Sequence, residues 1–238
     1  MRLGLRTLAV TLPQKLGAEL IGTFFATLVP TAVDVLYYTG AHVDFVSRWL
    51  ARGLITLAMI YAFSEVSGAH IDPAVSLGFA LRGVLRVRQL LAYVCAQFTG
   101  AFAAAGLAYA LWHHDIVLGA SHPGTGYSHP IAFLAEIVAT FLLMLVILGT
   151  AEQEAVVGKQ AALAVGFTVS TCGFFVGAIS GASMNPARSI APQVLGGDFD
   201  LLWIYAAGPC IGAAFAAFAA YFIYGPPRHG EEKAGHGA

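Results

Sequence analysis

The 238-residue sequence predicts an all-α membrane protein with six transmembrane helices and two half-membrane helices in an inverted repeat. Three observations predict this fold class: the composition is 58% hydrophobic and 11% charged, six apolar stretches are long enough to span a bilayer, and two short apolar segments recur in the two halves. A soluble domain carries about 25% charged residues, so this chain lacks the polar surface of a water-soluble fold.

The six predicted spans follow from the thickness of the bilayer core, which requires about 20 apolar residues of helix. The stretches that meet this length are residues 15–37, 46–66, 88–111, 128–150, 160–179 and 201–224. Two further segments, Asp72–Leu81 and Asn185–Leu195, are only about half as long. Since a helix rises about 1.5 Å per residue, two such segments placed end to end would cross one membrane core.

Composition also limits the partners. A net charge of -1 and a pI near 6.7 give no indication of nucleic-acid binding. No stretch is polar enough for a soluble domain, so we expect a single transmembrane domain over 1–238. Its first repeat covers about 12–111, its second covers about 128–224, and 225–238 is predicted to be a disordered tail.

The distribution of basic residues predicts the orientation in the membrane. Because the number of spans is even, most Lys and Arg residues outside the spans fall on one face: Arg2, Arg6, Lys15, Arg82, Arg86, Arg88, Lys159, Arg228 and Lys233. The other predicted face receives Arg48 and is otherwise rich in His and Asp. Since basic loops stay in the cytoplasm, the sequence predicts a multi-pass protein of the plasma (inner) membrane with both termini cytoplasmic.

Three sequence matches relate the two halves. They occur in the same order: Ala18–Phe24 (AELIGTF) with Ala135–Phe141 (AEIVATF), Ser67–Ser76 (SGAHIDPAVS) with Ser180–Ser189 (SGASMNPARS), and, more faintly, Ala96–Ala101 (AQFTGA) with Gly208–Ala213 (GPCIGA). Three spans per half is an odd number, so the second half must enter the membrane upside down. The two short segments then enter from opposite faces and meet in the middle.

Each short segment begins with a motif suited to a helix start. Asn and Asp accept hydrogen bonds from the free amides of a first helical turn, and Pro at the first helical position loses no bond. One such pair is weak evidence, since many soluble helices begin this way. Two copies, each after Ser-Gly-Ala and each opening a half-length helix, form a specific signal.

With these motifs the sequence resembles the major intrinsic protein (aquaporin) family. The two Asn-Pro-Ala motifs of that family are here Asp72-Pro73-Ala74 and Asn185-Pro186-Ala187, and Arg188 follows the second. Within that family, Gly68-Ala69-His70 and the Gly-rich fifth span are similar to bacterial relatives of the nodulin-like branch, which conducts glycerol and metalloid acids. The resemblance implies the aquaporin fold, a homotetramer in the lipid bilayer with one pore per subunit, and passive passage of water or small uncharged solutes without a cofactor.

The family pattern places the selectivity filter at Arg52, Gly173, Ala182 and Arg188. Gly173 and Ala182 are small, so they favour a wide opening that suits glycerol-like solutes or metalloid acids such as boric or arsenous acid. Arg188 would form the electrostatic barrier, as half-helix dipoles also do. Arg52 is unusual for the family. It either lines the filter, where two arginines would repel cations, or its side chain extends outward to the interface.

Asp72 is a second departure, because the family has Asn at this position. An ionised Asp caps a helix equally well, but it offers no donor and adds a negative charge where the two half-helices converge. Two interpretations stay open. Asp72 is a tolerated capping variant, or it alters selectivity towards ions, protons or a pH-gated conductance.

The remaining polar residues of the spans are assigned supporting roles. In the family the residues corresponding to Glu19 and Glu136 accept hydrogen bonds from the loops before the half-helices, and with His70 they are expected to support these loops here. Asp34 and Glu65 are expected at the membrane interfaces. The histidines outside the spans, His113, His114, His122 and His129, either belong to solvated loops or bind metal or sense pH.

Other functions are less compatible with the sequence. A secondary transporter also fits an inverted repeat, but the spans contain no paired carboxylate-and-base relay beyond the loop-supporting glutamates. No nucleophile-base pair and no set of metal ligands lies within a span, so an enzyme is disfavoured.

Overall fold

The computed structural model of the protein describes residues 10–152 and 160–237. Arg2, Arg6 and Lys159, which contributed to the predicted orientation, lie outside the described residues, and so does the side chain of His114. Within the described ranges the helices are α1 Leu12–Tyr38, α2 Phe45–Ser67, α3 Pro73–Leu81, α4 Val87–Trp112, α5 Ile116–Gly119, α6 His129–Glu152, α7 Ala161–Ser180, α8 Pro186–Gly196, α9 Leu202–Tyr224 and α10 His229–His236.

The predicted fold class is confirmed. Six helices, α1, α2, α4, α6, α7 and α9, are long and apolar enough to cross a membrane. Consecutive long helices run antiparallel: the end of α1 meets the start of α2 through Asp34 and Arg48, which are 2.6 Å apart. We call the face at which α1 begins and α9 ends the terminal face, and the other the opposite face.

Small residues bring the helices of each repeat together in the same way. A Cβ atom added to Gly100 of α4 would collide with the backbone carbonyl of Leu20 in α1, and one added to Gly212 of α9 would collide with that of Ile137 in α6. Leu20 and Ile137 occupy the same place in the repeated AEL/AEI motifs. In lipid, where no hydrophobic effect drives helices together, such close backbone approach is the main source of packing energy.

The half-helices α3 and α8 begin at the two Pro residues of the repeated motifs. The Asp72 side chain accepts a hydrogen bond from the Ala74 amide (2.7 Å), and the Asn185 side chain accepts one from the Arg188 amide (3.1 Å). The Asn185 Nδ2 atom donates to the Ile71 carbonyl oxygen at 2.9 Å. The N-terminal ends of the two half-helices therefore meet inside the bundle, as the inverted repeat predicts.

The prediction of a disordered tail over 225–238 does not match the structure, which has a helix in this segment. Residues His229–His236 form the helix α10, and Glu231 within it is fully buried. The composition of the tail gave no sign of this helix, because its stability comes from contacts with distant residues. The Arg82 guanidinium donates to both Glu231 carboxylate oxygens, at 2.9 and 2.7 Å.

Candidate functional site

A cavity of about 170 Å³ runs between the two repeats. Its lining includes Gly68 and His70 on the side of the terminal face, Asp72 and Asn185 in the middle, and Arg52 and Arg188 on the side of the opposite face. Side chains of α1, α2, α6 and α7 complete the wall. The cavity thus extends between the two faces of the helix bundle and passes the junction of the half-helices.

Glu19 organises the loop that precedes α3. This fully buried carboxylate accepts hydrogen bonds from the amides of His70 (2.9 Å) and Ile71 (2.7 Å). It also accepts one from the Ser67 hydroxyl (2.6 Å) and one from the Gln97 amide (2.8 Å). A buried charge is costly unless it is hydrogen-bonded, and here each oxygen has partners.

Glu136 makes the equivalent contacts in the second repeat. It is also fully buried and accepts from the Ser183 amide (2.9 Å), the Met184 amide (2.8 Å) and the Ser180 hydroxyl (2.7 Å). The two glutamates occupy matching positions in the first sequence repeat, so the internal symmetry extends to individual hydrogen bonds.

The loops held by these glutamates have a strained backbone. Ala69 and Ile71 have φ angles of 48°, and the corresponding Ala182 and Met184 have φ angles of 44° and 55°. Non-glycine residues in the left-handed region each cost on the order of 1–3 kcal/mol, and such strain collects at functional sites. The network around each glutamate keeps the loop in this conformation.

Two tyrosines that sequence reasoning missed fasten the same loops. The hydroxyl of Tyr93 in α4 donates to the Ser67 carbonyl (2.8 Å), and that of Tyr205 in α9 donates to the Ser180 carbonyl (2.7 Å). Each tyrosine lies three residues before the third, faint repeat, which begins at Ala96 and Gly208. Extending that alignment by one helical turn would have found the pair.

His70 supports its loop by packing as well as by polar contacts. Its ring stacks on Phe79 with centroids 4.7 Å apart, and its Nδ1 atom lies 3.0 Å from the Ser76 hydroxyl. The Ser76 hydroxyl in turn accepts from Gln97 at 2.9 Å. His70 is 3% exposed and also lines the cavity on the side of the terminal face.

Three of the four expected filter residues lie together on the cavity wall: Arg52, Ala182 and Arg188. Arg52 is 3% exposed, and its Nη1 atom donates to the Gly181 carbonyl at 2.6 Å. Of the two orientations that the sequence left open for Arg52, the structure has the inward one. Ala182 contributes only a methyl group to this part of the wall.

Gly173 lies behind this wall. A Cβ atom at Gly173 would overlap the indole ring of Trp49, so the space that the glycine leaves is filled by that ring. Trp49 is fully buried, and the guanidinium carbon of Arg52 lies over its ring, 4.3 Å from the ring centroid. The argument for a wide opening therefore rests on Ala182, and the role of Gly173 is to admit Trp49.

Asp34, which was expected at the membrane interface, is buried inside the helix bundle. It is 1% exposed and bridges three arginines: Arg48, Arg52 and Arg188. The Oδ1 atom accepts from Arg48 at 2.6 Å, whereas Oδ2 accepts from Arg52 and, at 3.1 Å, from Arg188. A lone Asp near a helix end has no sequence pattern that would reveal three partners, all of them in other helices.

Those histidines outside the spans whose side chains the structure describes, His113, His122 and His129, do not form a cluster. His122 pairs with Asp198 at 3.0 Å, while His113 and His129 are exposed. Among the residues that the structure describes, no group of three or more His, Cys, Asp or Glu side chains could hold a metal ion. Glu65 is exposed at the end of α2, as expected of an interfacial residue.

The electrostatics of the cavity oppose the entry of cations. Each half-helix N-terminus carries roughly half a positive charge, and both point at the middle of the cavity. Arg52 and Arg188 add two guanidinium charges on the side of the opposite face. A cavity lined by both repeats, discontinuous helices that meet at its centre and two arginines on its wall together define a membrane channel.

Comparisons with known proteins specify the family. The model of the major intrinsic protein family matches residues 7–221. The chain is 38% identical over 224 residues to aquaporin NIP1-1 of Zea mays, covering 91% of this chain and 77% of the relative. It is 40% identical over 217 residues to aquaporin NIP1-4 of Oryza sativa subsp. japonica, covering 89% and 77%.

A solved structure supports the fold. The X-ray structure of the aquaglyceroporin from Plasmodium falciparum superposes with a TM-score of 0.80 at 24% identity, covering 89% of this chain and 96% of that chain. The chain therefore belongs to the major intrinsic protein family, in agreement with the resemblance of its two motifs. It is a passive channel for water and small solutes and not an enzyme.

Proposed function

We propose that this channel passes small neutral solutes that carry hydroxyl groups, namely glycerol-like molecules and metalloid acids such as boric or arsenous acid, together with water. The observation that carries the proposal is the pairing of Arg52 and Arg188 on one wall of the cavity, beside the small Ala182. Guanidinium groups present several fixed donors, which suit a solute with several hydroxyl oxygens. A water-selective pore needs neither a second guanidinium nor the space beside Ala182.

The environment of the channel is also part of the proposal. We infer a homotetramer in the plasma membrane, with the terminal face towards the cytoplasm. The described basic residues that support this orientation are Lys15, Arg82, Arg86, Arg88, Arg228 and Lys233. Large exposed apolar side chains on α9, such as Phe215, Phe218 and Phe222, supply surface for lipid or for neighbouring subunits.

Stopped-flow light scattering on proteoliposomes tests the solute class. The unaltered protein should pass boric acid and glycerol faster than protein-free vesicles, and Arg52→Gln should lower the ratio of boric acid to water permeability by about tenfold, since it removes a charged donor from the wall. Arg88→Gln, at an exposed position outside the cavity, is the matched control. Water flux without solute flux in the unaltered protein would overturn the proposal.

A second candidate function rests on Asp72. This side chain is 4% exposed and lines the cavity where the half-helices meet, and no salt bridge to it occurs among the described residues. A carboxylate there would partly cancel the positive ends of α3 and α8 and so lower the barrier to cations or protons.

The substitution Asp72→Asn separates the two candidates. It keeps the cap to Ala74 and restores the family residue. If Asp72 conducts or gates ions, the substitution should abolish a proton or sodium flux that a pH-sensitive or sodium-sensitive dye detects in the unaltered protein. Equal ion fluxes, solute fluxes and pH responses in both proteins would identify Asp72 as a capping variant only.

A further inference from the structure

Asp34 is not on the cavity wall, yet it contacts both arginines that are. Its Oδ2 atom lies between Arg52 and Arg188, and its Oδ1 atom pairs with Arg48. The Arg48 guanidinium is packed away from the cavity, among the rings of Tyr37, Tyr38 and Trp49 at 4.5–4.9 Å. Asp34 therefore connects the buried Arg48 to the two charged side chains of the cavity wall.

The Nη donors of the two wall arginines are directed at protein acceptors, whereas neither Nε atom has an acceptor among the residues that the structure describes. In Arg52, Nη1 donates to the Gly181 carbonyl and Nη2 donates to Asp34. In Arg188, Nη1 donates to the Ser121 hydroxyl and Nη2 donates to Asp34. Without Asp34 the Nη2 atom of Arg52 would lose its acceptor, and that of Arg188 would keep only the Gly119 carbonyl at 3.4 Å. Two adjacent guanidinium groups with open donors form a site for an anion.

We propose that Asp34 is a specificity-determining residue: it acts as a built-in counter-anion that positions Arg52 and Arg188 and supplies the negative charge that a small anion would otherwise provide. The channel thereby keeps guanidinium donors on its wall for neutral solutes without becoming an anion site. This inference deepens the proposed function and rests on it for the identity of the solutes. The role of Asp34 is to position, since it does not reach the cavity.

The net charge of Asp34 and its three arginines gives the direction of the effect expected for Asp34→Asn. The three arginines and Asp34 carry a net charge of +2, from three positive charges and one negative. Asp34→Asn raises this to +3 while keeping the shape of the side chain. In a cleft with low-dielectric walls one extra charge changes the local concentration of counter-ions by about tenfold or more. An anion drawn to the site either passes or blocks the neutral solute.

The experiment uses the full chain in proteoliposomes with nitrate as the probe. For Asp34→Asn we expect a nitrate flux, or an inhibition of boric acid flux by nitrate, that is about tenfold stronger than in the unaltered protein. Arg48→Gln is the matched control, because it removes a partner of Asp34 that does not line the cavity. Insensitivity to nitrate in both assays would overturn the inference.

A double variant tests whether nitrate sensitivity follows the net charge of Asp34 and its three arginines. Asp34→Asn with Arg52→Gln returns the net charge to +2 and removes one of the two open donors, so nitrate sensitivity should fall back towards that of the unaltered protein. A double variant with stronger nitrate sensitivity than the unaltered protein would overturn the inference. Boric acid flux in the unaltered protein tests the proposed function separately, so the two failures are distinguishable.

A different observation carries a second inference, at the terminal face. The helix α10 folds back onto this face, and Ala234 within it lines the same cavity as Gly68 and His70. A Cβ atom at Gly68 would collide with the Ala234 carbonyl, and one at Gly235 would collide with Val84. The tail therefore lies in contact with the loop that precedes α3, across the mouth of the cavity.

Buried charges hold α10 in place. Arg82 and Glu231 are both fully buried and form a two-point pair, and Arg82 also donates to the Gly225 carbonyl at 3.0 Å. Lys15 of α1 donates to the carbonyl of His236. A buried pair of this kind is strongly destabilised when one partner is removed, because the other charge stays unpaired.

From these contacts we infer that α10 is an autoinhibitory segment that reduces flux through the terminal mouth and opens it on release. Glu231→Gln should release α10 and raise boric acid and water permeability several-fold. Glu232→Gln is the matched control, since the Glu232 side chain is 65% exposed.

A second test removes α10 by cleavage after reconstitution. It does not depend on whether Glu231→Gln releases α10. A protease site inserted between Tyr224 and Arg228 allows α10 to be removed from the reconstituted channel, and mass spectrometry verifies the loss. Higher permeability after cleavage supports the inference, and equal or lower permeability overturns it.

Discussion

At the scale of residues, the two buried glutamates show how the channel supports a strained loop. Glu19 and Glu136 each accept two loop amides and a serine hydroxyl, next to residues in the left-handed region. The family resemblance suggests this role from the sequence. An extended third repeat would also have singled out Tyr93 and Tyr205, but their acceptors and the contact of Gln97 could not be inferred, because these contacts join residues that are far apart in the chain.

Glu136→Gln should destabilise the channel. A Gln side chain turns an NH₂ group towards one of the two loop amides, so a buried donor loses its acceptor at a cost of about 1–3 kcal/mol. We expect a lower midpoint of thermal unfolding, followed by tryptophan fluorescence in detergent. Glu65→Gln, at an exposed position, is the control, and an equal effect of both substitutions would contradict the assignment.

At the scale of elements, helix contacts depend on where glycine is placed. Gly100 lies against the α1 backbone, whereas a Cβ atom at Gly106 of the same helix would meet nothing within 4 Å. The composition of α4 makes both glycines look like packing residues. Only the direction in which each one points separates them.

The two glycines provide a matched pair of substitutions. Gly100→Ala should destabilise the protein by about 1–3 kcal/mol, because the helices must move apart. Gly106→Ala should be neutral or stabilising by up to about 1 kcal/mol, since Ala favours a helix. Thermal unfolding of both variants is the measurement. Equal midpoints would show that α4 and α1 do not pack as described.

The contact of α10 with the terminal face should depend on pH. His236 is partly buried, and its burial, together with the nearby Lys15, lowers the pKa of His236 below its usual value. Arg86 also lowers the pKa of His236, whereas Glu232 raises it, and His70 faces the same imidazole. A base with a lowered pKa in the docked state stabilises docking above its ordinary pKa, and this contribution is lost as the pH falls.

Acidification on the terminal side should therefore release α10 and raise solute permeability as the pH falls below about 6.5, the ordinary value for histidine. Boric acid flux measured between pH 7.5 and 5.5 tests this expectation. His236→Gln should remove the dependence, and His229→Gln, at an exposed position, should not. A dependence that is identical in all three proteins would assign it to another group.

At the scale of the whole molecule, the inverted repeat explains the architecture. Equivalent glycines, glutamates and half-helix caps recur in both halves, and the predicted fold class and family are confirmed by the structure and the comparisons. The orientation in the membrane stays a prediction from the basic residues.

Labelling from one side tests this orientation. A cysteine at exposed His129, on the opposite face, should react with a membrane-impermeable maleimide added to intact cells, and a cysteine at exposed His229 should react only after permeabilisation. A protein with Cys95, Cys172 and Cys210 replaced by Ser provides the background. The reverse pattern would place the termini outside.

The sequence by itself determined the six spans, the two half-helices, the inverted symmetry and the family, because these depend on hydropathy, length and local motifs. The tertiary structure decided the inward position of Arg52, the ring of Trp49 beside Gly173, the burial of Asp34 among three arginines and the docking of α10. These features depend on which side chains from distant segments meet in a low-dielectric interior, where a charge must find a partner. A one-dimensional pattern records the charge, but only the packed helices determine its partner.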